Sequence, residues 1–156
     1  MAITNFCSNV TASTRPITIF CSYAHEDENL RRELEMHLGL LKRQGLIQTW
    51  YDRDIRPGQN WQYQIDNGLN IANIILLLVS SAFMDSDYCY GIEMKLALER
   101  SQKQQAIVIP IILRRVDLAN APFSYLQALP TEGKPVTTWA DRDAAFEDIV
   151  KGIRNA

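Results

Sequence analysis

The stretch Asp85-Ser86-Asp87-Tyr88-Cys89-Tyr90-Gly91-Ile92-Glu93-Met94 carries the most chemical information in this chain. On a helix, Cys89, Glu93 and Ala97 lie four apart and share a face, which sets one carboxylate on a stripe of small residues. Helices normally keep Glu on their wet side. Two readings therefore stand side by side. Glu93 is either a semi-buried acid with a raised pKa, or a surface group paired with Lys or Arg, as Glu99 is expected to be. Two further stretches, Ser22-Tyr23-Ala24-His25 and Ser80-Ser81, bring hydroxyls to the ends of apolar runs.

Other chemistries find no support. The loop Ala24-His25-Glu26-Asp27-Glu28 has three acids and no glycine, whereas a phosphate cradle needs backbone amides presented by small residues. A phospho-acceptor Asp is missing where the third strand ends in Val79-Ser80-Ser81. G-x-G-x-x-G, Walker A and G-x-S-x-G patterns are absent. His37 falls mid-helix among apolar neighbours and is expected as a packed or half-exposed residue. Cys7, Cys21 and Cys89 are widely spaced and form no C-x-x-C pair, so no metal site is implied. Cys89 is expected as a small buried residue rather than a nucleophile.

The elements that must position these residues alternate in type. Ile17 to Tyr23 has the β-branched, apolar pattern of a buried strand. Asp27 is placed to cap a helix in which Leu30, Leu34, Leu38 and Leu41 recur, and Gly45 ends it. Leu46 to Tyr51 is a second strand, followed by a polar loop that closes on Pro57-Gly58. A helix spans about 60–71 with Trp61, Ile65 and Leu69, Trp61 being expected in the core. Asn73 to Ser80 is a strand covered on both faces. A third helix follows Ser86, with Ile92, Leu96 and Leu98 among its apolar positions. Ala106 to Leu113 is a fourth strand, 114–134 is irregular, Pro135 to Trp139 is a short fifth strand, and Asp141 caps a last helix to about Ile153.

This order predicts a flavodoxin-like α/β fold, with five parallel strands in the order 2-1-3-4-5 and helices on both faces. Ligands then bind beyond the carboxyl ends of strands 1 and 3, where Ser22, Tyr23, Ala24 and Ser80 are delivered. Residues 1–15 read as a flexible tail and 16–156 as one domain. With 156 residues, 47% hydrophobic and 22% charged, the chain is an ordinary globular domain rather than a disordered one. It can bury roughly two thirds of its unfolded surface without disulfide or metal staples. Sixteen Lys and Arg against 18 Asp and Glu give a net charge of −2, without the basic excess of a direct nucleic-acid binder. The longest apolar run, Ile74 to Val79, is far too short to span a bilayer, and Met1 to Val10 does not resemble a secretory signal. A cytoplasmic protein with reduced thiols is expected.

The chain resembles a Toll/interleukin-1 receptor (TIR) domain of the bacterial type from Ile17 to about Ile153. The resemblance rests on Phe20-Cys21-Ser22-Tyr23 with Asp27, on Trp50-Tyr51-Asp52-Arg53-Asp54-Ile55-Arg56-Pro57-Gly58, on Leu78-Val79-Ser80-Ser81-Ala82-Phe83 leading to Ser86-Asp87-Tyr88-Cys89-Tyr90-Gly91-Ile92-Glu93, and on Thr138-Trp139. It implies one of two activities. Many TIR domains cleave NAD+ between nicotinamide and ribose with a single Glu on the third helix, which Glu93 matches. Others are non-catalytic adaptors that act by TIR–TIR assembly. The enzymatic reading gives nicotinamide plus ADP-ribose or a cyclic variant, with NAD+ as substrate and no separate cofactor. Activation would come from self-association as a homo-oligomer or filament, in the effector part of a defence protein. Ser22, Tyr23, Ala24, Asp52, Arg53, Ser80, Tyr88 and Tyr90 would then contact substrate. Asp54, Ile55, Arg56, Pro57 and Gly58 would meet a neighbouring subunit. The family's aromatic usually lies about four residues before the Glu, whereas Tyr88 lies five before and Tyr90 three.

Overall fold

The computed structural model describes residues 15–50, 58, 60 and 67–156. Four parallel strands form one sheet: β1 (Ile17–Ser22), β2 (Ile47–Trp50), β3 (Ile74–Val79) and β4 (Ile107–Ile112), in the order β2-β1-β3-β4. The register pairs Ile17 with Ile47, Ile19 with Ile74, and Ile74 with Ile107. The helices are α1 (Glu28–His37), α2 (Gly39–Arg43), α3 (67–71 in its described part), α4 (Ser81–Asp85), α5 (Met94–Gln102) and α6 (Arg142–Arg154).

Strand side chains alternate between two cores, as period-2 geometry requires. Ile19, Cys21, Leu76, Leu78, Ile109 and Ile111 face Leu30, Leu34 and Leu38 of the α1 region and Phe146 and Ile149 of α6. Phe20, Ile75, Leu77, Val79 and Val108 face Leu69, Phe83, Met94 and Ala97 on the other side. Both faces are therefore covered, and β3 is buried along its whole length, the usual state of a central parallel strand. Gly45 closes the α2 turn at φ +73°, a left-handed conformation that suits glycine, and Leu46 N–H returns to the Leu41 carbonyl at 3.0 Å.

Three sequence expectations need correction. The fifth strand does not form: Val136–Thr138 is a 3-10 turn, and on the side of β4 away from β3 the described residues make an isolated parallel bridge between Ile111 and Leu129. Proline explains the failure, since it has no N–H to give a ladder. Leu129 N–H donates to the Pro110 carbonyl at 2.9 Å and Ile112 N–H to the Leu129 carbonyl at 2.8 Å. Pro110 then has no donor to return, and Pro130 and Pro135 interrupt the incoming segment.

The third helix follows Ser86 as expected, but its first turn, Cys89–Glu93, is a π-turn that runs directly into α5, and Ile92, expected on the apolar side, is 41% exposed. Finally, Asp27 makes no side-chain cap bond to α1; its carboxylate turns inward instead. His37 is the last residue of α1, and its ring stacks on Phe146 at 5.3 Å while Nε2 lies 3.2 Å from Asp143. Trp61 lies outside the described residues.

Candidate functional site

The site begins with a local irregularity. The Ser86 hydroxyl accepts from Cys89 N–H at 3.0 Å and starts the helical turn, as a capping serine does. The next bonds then lengthen by one residue. Glu93 N–H reaches the Tyr88 carbonyl at 3.0 Å, and Met94 N–H reaches Cys89. Such a π-turn holds one extra residue. Ile92 is displaced outward by it and Glu93 takes the inward place, in line with Cys89 and Ala97, which are also buried.

Glu93 is only 2% exposed. A buried carboxylate is costly unless hydrogen-bonded, and Ser22, 1% exposed at the end of β1, donates its hydroxyl to Glu93 Oε1 at 2.9 Å. The next residue joins the same pair of elements, because the Cys89 thiol donates to the Tyr23 carbonyl at 3.3 Å. Cys89 is thus a buried donor, as expected. Glu93 is thus buried rather than a surface group.

A recess of about 340 Å³ opens beyond the carboxyl ends of β1 and β3, at the topological switch point where this fold class takes its ligands. Tyr23, Ala24, His25 and Glu26 line one side, and Ala82, Asp85, Ser86, Tyr88 and Cys89 the other. Its volume is at the lower end of the range for small-molecule sites, about 300–1,000 Å³. Larger recesses near Arg115 and near Asp141 lie away from Glu93 and Ser22. Among the described residues no group of three His, Cys, Asp or Glu could hold a metal ion, and no helix is long and apolar enough to cross a membrane.

Tyr23, Ala24 and Tyr88 therefore line the recess; Ser22 meets Glu93, and both of these are buried beside it rather than in its lining. Tyr90 is half-buried and packs on the second core. Ser80 is fully buried; its hydroxyl accepts from Phe83 N–H at 3.1 Å and caps α4, while donating to Asp27. Gly58 is exposed at φ +86°. Asp52, Arg53, Asp54, Ile55, Arg56 and Pro57 lie outside the described residues. Sequence reasoning missed the inward role of Asp27 and its partner Arg114, whose Nε donates to Asp27 Oδ1 at 2.8 Å. The two are 87 residues apart, so no local spacing could show the pairing.

A parallel sheet in the order β2-β1-β3-β4 with buried carboxylates near the carboxyl ends of its strands is a flavodoxin-like α/β domain with a ligand position at its switch point. The chain belongs to the TIR domain family, whose model matches residues 19–150. It is 52% identical over 139 residues to the uncharacterized protein y4lF of Sinorhizobium fredii; the match covers 89% of this chain and 43% of that protein, so the chain spans under half of that relative's length. Among solved structures it is similar to the TIR domain of the Toll-related receptor TRR-2 from Hydra magnipapillata, with a TM-score of 0.61, 21% identity, and coverage of 88% of this chain and 98% of that one. It is also similar to the TIR domains of the activated Roq1 resistosome that recognises the effector XopQ, with a TM-score of 0.63, 16% identity, and coverage of 88% and 99%. The RPS4 and RRS1 TIR heterodimer gives a TM-score of 0.54 at 14% identity, covering 90% and 97%. These structural likenesses speak for the fold.

Proposed function

We propose that this domain is an NAD+ glycohydrolase in which Glu93 is the catalytic residue. The observation that carries the reading is the buried Glu93 carboxylate, held by the Ser22 hydroxyl at 2.9 Å at the switch point of the sheet. The reaction suits one carboxylate. Breaking the bond between nicotinamide nitrogen and ribose C1′ leaves the bonding pair on nitrogen, so the cationic ring departs neutral without a general acid. Positive charge then grows on the ribose, and a fixed carboxylate in a site shielded from water stabilises it where it forms. Water adds to C1′ and loses a proton, giving nicotinamide, ADP-ribose and H⁺; attack by a group of the substrate itself would give a cyclic product. Glu26 and Asp85 on the rim of the recess add negative charge that favours a cationic ring, and the half-buried Tyr88 offers aromatic surface for stacking. Membership of the family supports a place in signalling or immunity.

The decisive measurement is nicotinamide release from NAD+ at high protein concentration. Glu93→Ala and Glu93→Gln should both lose turnover by about 10²–10³ or more, the scale of removing one preorganised electrostatic group, with circular dichroism unchanged. Wild-type release by both variants would remove Glu93 from the mechanism. A second reading is an assembly module without turnover, favoured by the TIR heterodimer among the structural relatives. It predicts self-association with no nicotinamide released by the wild type.

A further inference from the structure

Asp27 is 1% exposed and ends the 3-10 turn His25–Asp27, whose first two residues line the recess. Its position is that of a helix N-cap, where an Asp carboxylate ordinarily accepts from the first N–H groups of the helix. That bond is absent. The carboxylate reaches across the sheet instead. Oδ2 accepts from the Ser80 hydroxyl just past β3, and Oδ1 accepts from Arg114 Nε just past β4 at 2.8 Å. Asp27 N–H closes the turn on the Ala24 carbonyl at 2.9 Å.

These bonds bear on the site because of what lies between them. Tyr23, Ala24, His25 and Glu26 form one wall of the recess. The near end of this wall is fixed by the β1 ladder and by Ser22 on Glu93. Its first carbonyl is held by the Cys89 thiol. The far end is held by Asp27. A hydrogen bond to a charged group is among the stronger ones, and a buried carboxylate that loses its partner has no water to replace it. Arg114 is 46% exposed along its side chain, so its charge stays partly hydrated while it serves the buried acid.

We propose that Asp27 is a positioning residue for the site: by tying the far end of the Tyr23–Glu26 wall to the carboxyl ends of β3 and β4, it fixes that wall against Tyr88 and Cys89. This rests on the glycohydrolase reading for its kinetic consequence, and on the hydrogen bonds alone for its structural one. The role is distinct from that of Glu93, since Asp27 touches neither Ser22 nor Glu93 in any described bond.

The test uses Asp27→Asn, which keeps the shape and removes the charge, and Arg114→Gln, in the intact chain. Hydrogen exchange of residues 22–28 is followed beside that of α6, together with kcat and KM for nicotinamide release. Both variants should speed exchange in 23–27 by about tenfold while α6 is unchanged, and should raise KM by about tenfold with kcat nearly constant, the loss expected from a charge-assisted hydrogen bond of about 1.4 kcal/mol or more. Exchange that rises equally in α6, or does not rise in the wall, overturns the proposal. So does a loosened wall with unchanged KM. A wild type that releases no nicotinamide defeats the glycohydrolase reading, and the exchange pattern still decides whether Asp27 holds the wall.

Discussion

Glu93 and Cys21 are both acids closed off from water. Glu93 receives a hydroxyl from Ser22 at 2.9 Å. For Cys21, burial pushes the thiol from its ordinary 9.0 up to about 12; Glu35 adds to the rise, and Arg31 and Lys42 oppose it. The thiol is therefore neutral at physiological pH and unreactive, because the thiolate is the nucleophile. Its effect on stability has a definite sign. Between 9.0 and about 12 the unfolded chain releases this proton and the folded chain keeps it, so stability falls as pH rises through that window and is fully present below it. Denaturant titrations across the window should show a shallower alkaline decline in Cys21→Ala than in the wild type. Identical slopes in the two proteins would mean that Cys21 is not the group responsible.

At the scale of elements, close approach decides what is allowed. Gly68 in α3 faces the Trp50 ring, which itself stacks on Phe20 with centroids 5.2 Å apart. A methyl group at Gly68 would stand 2.7 Å from a Trp50 ring carbon. Gly68→Ala gains up to about 1 kcal/mol in helix propensity, but overpacking against a rigid ring costs about 1–3 kcal/mol. Thermal melting should place the variant below the wild type; a higher midpoint would mean that the ring moves aside freely. The same scale shows what the sequence makes visible. Strands β1 to β4, the helices on both faces and the switch-point residues follow from apolar period and turn chemistry, and so does the shared face of Cys89, Glu93 and Ala97. The π-turn does not, because a one-residue change in hydrogen-bond partner leaves the apolar spacing almost untouched, and only the exposed Ile92 betrays it. The absent fifth strand was legible in principle. Pro110 sits inside Ile107–Ile112, and a proline there marks a strand whose outer side cannot carry a full ladder.

For the molecule as a whole, the question is how copies meet. A net charge of −2 produces little long-range repulsion between them. In the stretch Asp52 to Gly58, the sequence carries charges that alternate in sign up to Pro57-Gly58, a pattern able to pair with a neighbour's surface. If assembly opens the site, the partner must bind the open form more tightly than the closed one. Specific activity should then climb with protein concentration or with a crowding agent, and Arg53→Glu with Arg56→Glu should suppress the climb. Activity per molecule that stays flat from dilute to concentrated protein, with the reversal variant equal to wild type, would show that the monomer is competent.

The segment from Leu129 to Thr137 has one more consequence. It lies along the outer side of β4, with bonds at Pro110, Ile112 and Leu113, where a longer, regular strand would otherwise expose a row of free amides. An exposed strand edge is a template for cross-β growth. Here the template is occupied along Pro110–Leu113 by an irregular, proline-broken cover, so a strand from another copy finds less of β4 free to pair with, and the cross-β hazard on this side is reduced.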